Sequence, residues 1–273
     1  MTRFPRWSEI PQAAPTAEID PDVPSPARMY DYFLGGKDNF AADRAAGDRV
    51  IAAAPEVLAA VKDNRAFLRR AVTHLAGDLG IRYFLDLGAG LPTQGNVHEI
   101  ARAAQPDSHV VYVDNDPIVL SHGRALLAGD AHTRVIQGDV RDPAAILADP
   151  SVAAMFELGE PVAVLFVAVL HFVSDEEDPM GVLDTFRAAM PPGSHLVITH
   201  ASPGGNPGGA AAAAEAWRRS TANMHLRSPA EIAAFFKGFE LLDPGLVPAQ
   251  RWRADAPPPT GQGVFLAGVG ALT

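Results

Sequence analysis

The sequence predicts a doubly wound α/β protein, with a mostly parallel seven-stranded sheet and a helical extension at the N-terminus. From residue 81 onward, short β-rich runs alternate with helical patterns, which is typical of such a sheet. Residues 162–170 are apolar throughout, so both faces of that strand must be covered, as they are in a parallel sheet. Asp-Pro pairs at 116–117, 142–143 and 178–179 repeat one helix start signal, in which Asp caps and Pro occupies the first turn.

Three regions follow from the changes in composition along the chain. They are an arm at residues 1–25, a helical cap at residues 26–80 and the α/β domain at residues 81–273. The arm is rich in Pro and polar residues, and we expect it to be poorly ordered. In the cap, a short helix starts at Pro26 and ends at Gly35, and a longer helix begins near Pro55.

The elements of the α/β domain are predicted from their periodicity and start signals. Strands are expected at residues 81–87, 109–113, 134–137, 162–170, 195–199, 239–242 and 264–269. Helices are expected at residues 96–104, 117–127, 143–148, 179–190 and 210–221, with one more opened by a capping box at residues 228–231. The last two strands are expected to form a hairpin, joined by a Pro-rich turn at residues 254–260, at the end of an otherwise parallel sheet.

Composition limits the classes of function. The chain has 273 residues and no cysteine, which excludes disulfides and cysteine-based metal sites. Its formal net charge of −10 disfavours non-specific binding to nucleic acid, so we expect no nucleic-acid partner. There is no apolar signal core near the N-terminus, and the longest apolar run is too short to cross a bilayer. We therefore expect a cytoplasmic protein without a membrane partner.

A glycine-containing turn follows the first strand of the α/β domain, in the run Asp86, Leu87, Gly88, Ala89, Gly90. Glycines at such a turn let a ligand approach the backbone closely. The dinucleotide motif GxGxxG would need glycine at position 93, which is Thr93. The carboxylate of Asp86 would repel a pyrophosphate but suits a cation, such as the amino group of a methionine moiety.

Acidic residues also follow the second and third strands. Asp114, beside Asn115, can accept hydrogen bonds from both hydroxyls of a ribose, whereas Asp116 is better explained as a helix cap. After the third strand come Gly138, Asp139 and Val140. The carboxylate of this aspartate can accept from an adenine amino group, while the valine packs on the ring.

The runs DLGAG, VDND and QGDV resemble the first three cofactor motifs of Rossmann-like methyltransferases that use S-adenosylmethionine. They fall at successive strand ends, in order, where ligands of such sheets bind. The resemblance implies that Asp86, Gly88 and Gly90 line the methionine end, that Asp114 binds ribose and that Asp139 and Val140 bind adenine. Pro92 stands where many relatives have a small residue, which leaves the route of the loop open.

The N-terminal part carries a more specific resemblance. The segments PARMYDYFLGGKDNF at residues 26–40 and NRAFLRR at residues 64–70, together with DLGAGLPT, are similar to a family of actinobacterial proteins. Its members are known mostly as presumed S-adenosyl methyltransferases and were once described only as being of unknown function. The resemblance covers most of residues 25–270 and implies the fold and the cofactor, but it brings no settled substrate.

Asn64 and Arg65 interrupt the apolar stripe of the long helix in the cap. A buried arginine is costly unless it is paired. Two interpretations of Arg65 stay open, a salt bridge to Asp31 or Asp38 and a guanidinium fork on the carboxylate of the cofactor. Two further candidates for closing the cofactor site are Arg28 and Tyr30.

His171 follows the fourth strand, in a segment that resembles the LHH-type segment of small-molecule methyltransferases. It is a candidate general base for a hydroxyl or an amine. The alternative is that it only lines the cofactor or binds a backbone carbonyl. His200, at the end of the fifth strand, is a second candidate. No histidines stand at metal-ligand spacing, and we expect no metal.

The function predicted from these features is S-adenosylmethionine-dependent methylation of an oxygen, nitrogen or carbon atom, most simply on a small molecule. One alternative is a noncatalytic sensor that binds S-adenosylmethionine or S-adenosylhomocysteine. A nicotinamide oxidoreductase is disfavoured by Thr93 and by the acid at Asp86. The sequence leaves the methyl acceptor, the oligomeric state and the pathway open.

Overall fold

A sheet of eight strands crosses the part of the chain that the computed structural model describes, residues 19–92, 95–127, 130–204, 206–254 and 263–273. The strands are β1 Tyr83–Leu87, β2 His109–Asp114, β3 Thr133–Gln137, β4 Val162–Val167, β5 His195–Ala201, β6 Phe239–Leu241, β7 Val247–Pro248 and β8 Phe265–Leu272. Their order is β3-β2-β1-β4-β5-β8-β6, and β7 pairs with β8. Strands β1 to β5 pair with one another in parallel, and β8 is antiparallel to β5, β6 and β7.

Ten α-helices flank this sheet or cover one end of it within the same ranges. They are α1 Pro26–Phe33, α2 Ala41–Ala53, α3 Val57–Thr73, α4 Val97–Ala104, α5 Pro117–Leu126, α6 Pro143–Ala148, α7 Pro150–Glu157, α8 Pro179–Ala189, α9 Pro207–Ala216 and α10 Pro229–Ala234. Alternation along the strands gives the sheet two apolar faces. Phe84 and Leu165 lie in one buried cluster, and Leu85 and Val164 lie in the other. This arrangement confirms the predicted doubly wound fold.

The predicted helix start signal is confirmed at all three Asp-Pro pairs. The side chains of Asp116, Asp142 and Asp178 accept from the backbone N–H of the second or third helical residue, at 2.9, 3.1 and 2.9 Å. Asp149 caps α7 in the same way. The sequence therefore carries a fourth copy of the signal, at a helix that was not predicted.

Several predicted elements differ from the structure. β4 ends at Val167 rather than at residue 170, because Ala168 adopts a left-handed conformation (φ 58°) and Leu170–Phe172 forms a 3-10 turn. The helix expected at residues 210–221 runs over Pro207–Ala216 and is followed by a 3-10 turn. The last two strands are also not a simple hairpin, since β7 intervenes between them.

Some of these misses have a simple cause in the sequence. The sequence did not indicate α2 or β7. The Ala-rich helix α2 has a weakly amphipathic pattern, and β7 has only two residues, too few to show an alternating pattern.

Most of the predicted arm and of the turn at residues 254–260 lies outside the described residues. Within the described ranges, no helix has both the length and the apolar character that a membrane crossing needs.

Helices α1, α2, α3 and α9 share an apolar cluster that is separate from the two cores beside the sheet. Met29, Phe33, Val50, Val61 and Trp217 belong to it. From here on, the cap means these four helices with their cluster, so it includes α9 in addition to the helices of the cap predicted at residues 26–80. Because α1 and α3 also line the cavity at the carboxyl ends of the strands, the cap covers that end of the sheet.

A buried ion pair fixes the cap at its N-terminal end. The guanidinium of Arg28 donates to both oxygens of Asp43, at 3.1 and 3.0 Å, and both side chains are almost fully buried. The same carboxylate accepts from the backbone N–H of Ser25 and Phe40. Arg28 also donates to the carbonyl of Val23, so one pair joins α1, α2 and the segment before α1.

Asp43→Ala leaves Arg28 buried without its carboxylate, and we expect the free energy of unfolding to fall by about 3–5 kcal/mol. Replacing both residues, as in Arg28→Met with Asp43→Leu, is expected to cost less, because no charge is then left buried. Asp48→Ala, at an exposed position on the same helix, is the control and should change the stability by about 1 kcal/mol or less. Urea unfolding followed by circular dichroism measures all three, and equal values for Asp43→Ala and Asp48→Ala would contradict the assignment.

Candidate cofactor and active site

A cavity of about 420 Å³ lies between the cap and the carboxyl ends of the parallel strands. Its volume is in the range of pockets that bind small organic ligands. It lies where the strand order reverses, between β1 and β4, which is the usual ligand position in doubly wound sheets. Of the residues predicted for the site, the structure brings the following to this cavity: Arg28, Tyr30, Asn64, Arg65, Asp86, Gly88, Ala89, Gly90, Asp114, Asn115, Gly138, Asp139, Val140 and His171. His200, the second candidate base, is not among the lining residues.

The two glycines of the turn after β1 are needed for different reasons. Both have a positive φ, 68° at Gly88 and 67° at Gly90, which disfavours other residues. A Cβ at Gly88 would lie 2.5 Å from the side chain of Val169, so this glycine allows the loop after β4 to pack on the turn. A Cβ at Gly90 would meet no protein atom within 4 Å, and the space beside it is open to a ligand.

Asp114 ties the end of β2 to this turn. One carboxylate oxygen accepts from the backbone N–H of Gly90 and the other from that of Asp116, both at 2.8 Å. Burial raises the pKa of Asp114 to about 6, against the opposing effect of these hydrogen bonds. Each oxygen keeps a further lone pair, so the carboxylate can hold the turn and still accept from a ligand.

Asp86 is a buried carboxylate on the floor of the cavity. Burial raises its pKa to about 7, the positive charge of Arg65 opposes this, and the charge of Asp114 adds to it. A cation in the cavity would favour the ionised form of Asp86.

Arg65 lies beside Asp86 and donates to the carbonyl of Gly95 at 2.9 Å. The two acids that the sequence suggested as its partners have other contacts. Asp31 accepts from the backbone N–H of Asp38 and from the side chain of Asn39, at 2.9 and 2.8 Å. The carboxylate of Asp38 lies 3.6 Å from His122. Arg65 therefore lies near Asp86 and the residues before α4, rather than paired with Asp31 or Asp38.

Tyr30 and Asn64 form a buried polar group in the wall of the cap. The hydroxyl of Tyr30 donates to the carbonyl of Val61 at 3.1 Å and accepts from the Nδ2 of Asn64 at 2.9 Å. Burial raises the pKa of this tyrosine, so its hydroxyl stays protonated. The Oδ1 of Asn64 is buried and, among the described residues, has no hydrogen-bond partner. An unpartnered acceptor of this kind fits a ligand that carries an N–H donor.

Asp139 is paired with Arg141, whose guanidinium donates to its two oxygens at 2.8 and 2.5 Å. Arg141 also bridges to Glu177 at 2.9 Å. Burial raises the pKa of Asp139, but the hydrogen bonds from Arg141 outweigh it, and the net shift is downward. The carboxylate is therefore ionised at neutral pH.

His171 lies in the 3-10 turn after β4 and is 2% exposed. Burial lowers its pKa well below the usual value, and the nearby His200, Arg227 and His225 add to the shift. The imidazole is therefore neutral at pH 7. Its Nδ1 lies 3.5 Å from the backbone N–H of Ala201.

His200, the second candidate base, has both ring nitrogens engaged. Its Nδ1 lies 2.7 Å from the carbonyl of Ala201, and its Nε2 lies 2.9 Å from a guanidinium nitrogen of Arg227. Because arginine can only donate, Nε2 must accept and Nδ1 must carry the proton. Burial lowers the pKa of His200 to about 4, which agrees with a neutral ring.

Arg227 supports the site without lining the cavity, and the sequence did not indicate this role. It is buried, and it donates to the carbonyls of Leu170 and Val173 and to the carboxylate of Asp175, at 3.2, 2.8 and 2.6 Å. These contacts brace the loop that carries His171. The residues around Arg227 in the sequence do not indicate that it is buried against the loop that carries His171, because that loop is distant along the chain.

The segment just before α1 also contributes to the site. The sequence predicted a poorly ordered arm at residues 1–25 and named no site residue in it, whereas Ile19, Asp20, Val23 and Ser25 line the cavity. The hydroxyl of Ser25 hydrogen-bonds Asp116. The carbonyl of Pro24 accepts from the backbone N–H of Thr221, at 2.9 Å. Contacts with residues far along the chain therefore hold this segment in place.

Comparison with known proteins agrees with this geometry. The profile of the S-adenosyl methyltransferase family matches residues 12–273. A presumed methyltransferase from Thermobifida fusca YX is 42% identical, with a TM-score of 0.88 over 92% of this chain and 96% of that one. A DUF574 family protein from Streptomyces avermitilis is 38% identical, with a TM-score of 0.89 over 94% of this chain and 100% of that one. No curated protein sequence matches the chain.

The raised pKa of Asp86 predicts a cost to the stability of the ligand-free protein. In the unfolded chain this carboxyl ionises near its ordinary pKa of 3.8, whereas in the folded protein it resists ionisation up to about 7. Stability is therefore lost as the pH rises from about 4 through 7. At pH 8 we expect Asp86→Asn to raise the free energy of unfolding by on the order of 1–4 kcal/mol.

Urea unfolding at pH 4 and pH 8 measures this effect, which should vanish toward pH 4. The matched control is Asp139→Asn, whose lowered folded pKa predicts the opposite sign, a small loss of stability at pH 8. If Asp86→Asn instead destabilises the protein at pH 8, the prediction is wrong, because the charge of Asp86 must then be compensated in the free protein.

Proposed function

The chain belongs to the S-adenosyl methyltransferase family, and from that premise we propose that it methylates a small organic molecule inside the capped cavity. The observation that carries the proposal is that the strand-end motifs and the cap line a single space of about 420 Å³. A space of this size, roofed by helices, suits a small acceptor better than a folded macromolecule. The cofactor of this methyltransferase is S-adenosylmethionine, and the oxygen, nitrogen or carbon atom that it methylates stays open.

The residues of the cavity fit this cofactor. The open space beside Gly90 can take a ligand against the backbone, and the unpartnered Oδ1 of Asn64 can accept from an ammonium group. Asp86 supplies a buried carboxylate that a cationic ligand would ionise.

We assign the following contacts on this basis. Asp86 and Asn64 would hold the ammonium group, Arg65 the carboxylate, Asp114 the ribose hydroxyls, and Asp139 with Val140 the adenine. The backbone at Gly88, Ala89, Gly90, Asn115 and Gly138 would line the same path.

Methyl transfer would form a bond from the acceptor to the methyl carbon and break the carbon–sulfur bond, whose electron pair stays on sulfur and neutralises its charge. A proton on the acceptor atom would be released to the solvent. The protein therefore mainly has to align the acceptor and exclude water. The cap does the second task, because its helices cover the carboxyl ends of the strands.

We assign His171 to the acceptor side as a neutral imidazole. Its lowered pKa makes it a weak base, so its stronger contribution is a hydrogen bond that orients the acceptor. Arg227 acts as a positioning residue, because it holds the backbone on both sides of His171.

Arg28 and Tyr30, which the sequence suggested for closing the site, act through the cap in this proposal. The guanidinium of Arg28 is engaged by Asp43, so it orders the wall of the cavity rather than the ligand. Tyr30 holds the amide of Asn64 in place. A cytoplasmic location, which the sequence suggested, stays a prediction.

Calorimetric titration with S-adenosylmethionine, S-adenosylhomocysteine and NADH tests the cofactor site. We expect the two sulfur compounds to bind and NADH not to bind. Gly90→Ala would place a methyl group in the ligand space, and we expect its affinity for S-adenosylhomocysteine to fall at least about tenfold. The proposal fails if neither sulfur compound binds.

Gly159→Ala is the matched control for this variant. Gly159 has nearly the same φ, 68° against 67°, and an added Cβ there also meets no atom within 4 Å. Both variants should therefore lose a similar amount of stability, about 1–2 kcal/mol. An equal loss of affinity in the two variants would mean that backbone strain, not the ligand space, explains the effect.

The affinity for S-adenosylmethionine should rise with pH between about 5 and 7. Below about 7 the free protein keeps Asp86 protonated, and binding of an ammonium group must then expel that proton. Calorimetry in buffers of different ionisation enthalpy measures the proton release directly. Asp86→Asn should bind more weakly and lose most of this pH dependence, and the remaining slope would belong to Asp114. A wild-type affinity that does not change over this range would refute the assignment.

A further inference from the structure

The cap side of the cavity has an apolar and aromatic lining. Its lining residues come from α1, α3, the loop after β4 and the segment after α9, and all six belong to the apolar cluster of the cap or pack against it. They are Phe33, Val57, Val61, Phe172, Trp217 and Met224, and we call them the aromatic chamber.

Trp217 is the centre of the chamber. Its ring lies 5.2 Å from the ring of Phe172 at an angle of 58°, and 6.3 Å from the ring of Phe33 in an edge-to-face arrangement. The side chain is 4% exposed, so its surroundings hold it in one orientation and leave a small part of it open to the cavity. A rigid aromatic side chain of this kind can bind a flat apolar ligand with little loss of side-chain entropy.

The charged residues of the cavity wall have other contacts or other assignments. The carboxylates of Asp20, Asp31 and Asp116 accept from the backbone N–H of Asp22, Asp38 and Ile118. Arg28 and Arg141 are paired with Asp43 and Asp139. The acids at the strand ends and Arg65 belong to the proposed cofactor contacts. Among the described residues, the six members of the chamber are all uncharged. An anionic acceptor would therefore have to lose its hydration without a cation of the chamber to replace it, and a cationic acceptor would have to lose its hydration without an anion of the chamber to replace it.

His171 borders the chamber, with its ring centre 4.4 Å from that of Phe172. Because this imidazole is neutral, it offers hydrogen bonding without a charge. The polar contact at the edge of the chamber therefore also suits an acceptor without a formal charge.

We propose that the methyl acceptor is an uncharged, flat aromatic molecule that packs against Trp217 and Phe172. This inference rests on the proposed function, and it narrows the substrate class of the same site. The ring system occupies the aromatic chamber, and the atom to be methylated points toward the strand ends.

The test uses three probes of the same shape and different charge, 2-naphthol, 2-naphthoate and 2-naphthylmethylammonium. Each is titrated calorimetrically at pH 7.5 into the full-length protein saturated with S-adenosylhomocysteine. We expect 2-naphthol to bind at least about tenfold more tightly than either charged probe. Equal or tighter binding of a charged probe, or no binding of 2-naphthol, overturns the proposal.

Trp217→Ala should weaken the binding of 2-naphthol about tenfold or more, and Trp217→Phe should restore part of the affinity. Neither variant should change the affinity for S-adenosylhomocysteine. Because Trp217 also packs inside the cap, Phe172→Leu serves as a second variant that keeps the position apolar and removes one aromatic ring. Unchanged 2-naphthol binding in the variants that fold places the probe elsewhere and overturns the proposal.

Failure of this inference can be told apart from failure of the proposed function. If S-adenosylhomocysteine binds and the probes contradict the expected order, only the aromatic acceptor is wrong. If S-adenosylhomocysteine does not bind, the proposed function fails, and titration of the same probes into the free protein still decides whether the chamber selects uncharged aromatic molecules.

Discussion

The geometry of the site depends on the hydrogen bonds that the buried carboxylate of Asp114 accepts. This carboxylate accepts from the backbone of the glycine turn after β1 and from the backbone that leads into α5. These two segments meet only because β1 and β2 are parallel neighbours, which brings their carboxyl ends to the same edge of the sheet. A change in the register of this strand pair would therefore move the glycine turn, the helix start and the cavity floor together.

The second constraint is the covering of that edge. The cap has an apolar cluster of its own, and polar contacts also link it and the segment before it to the rest of the protein, among them Ser25–Asp116, Arg65–Gly95 and Arg70–Trp252. Such a cover excludes water from a site where the chemistry needs alignment more than acid or base groups. It also carries the aromatic residues that we assign to the acceptor, so the same helices close the site and select its substrate.

The charges in the cavity show a division between structure and binding. Arg28 and Arg227 are each matched by a carboxylate and by backbone carbonyls, so their burial is compensated. Asp86 and Asp114 have raised pKa values because burial dominates. Residues of a binding site often lower the stability of the ligand-free protein, and the raised pKa values of Asp86 and Asp114 agree with that pattern.

The sequence by itself determined the sheet, most of its flanking helices and the strand-end residues that the structure brings to one cavity, because periodicity, Asp-Pro caps and glycine turns act over a few neighbouring residues. It did not reveal α2, β7, the lining formed by residues 19–25 or the brace at Arg227. It also left the surroundings of Arg65 and the state of His171 open. Only the tertiary structure decided these points, because each depends on contacts between residues that are distant in sequence, and burial and pairing there set both conformation and charge.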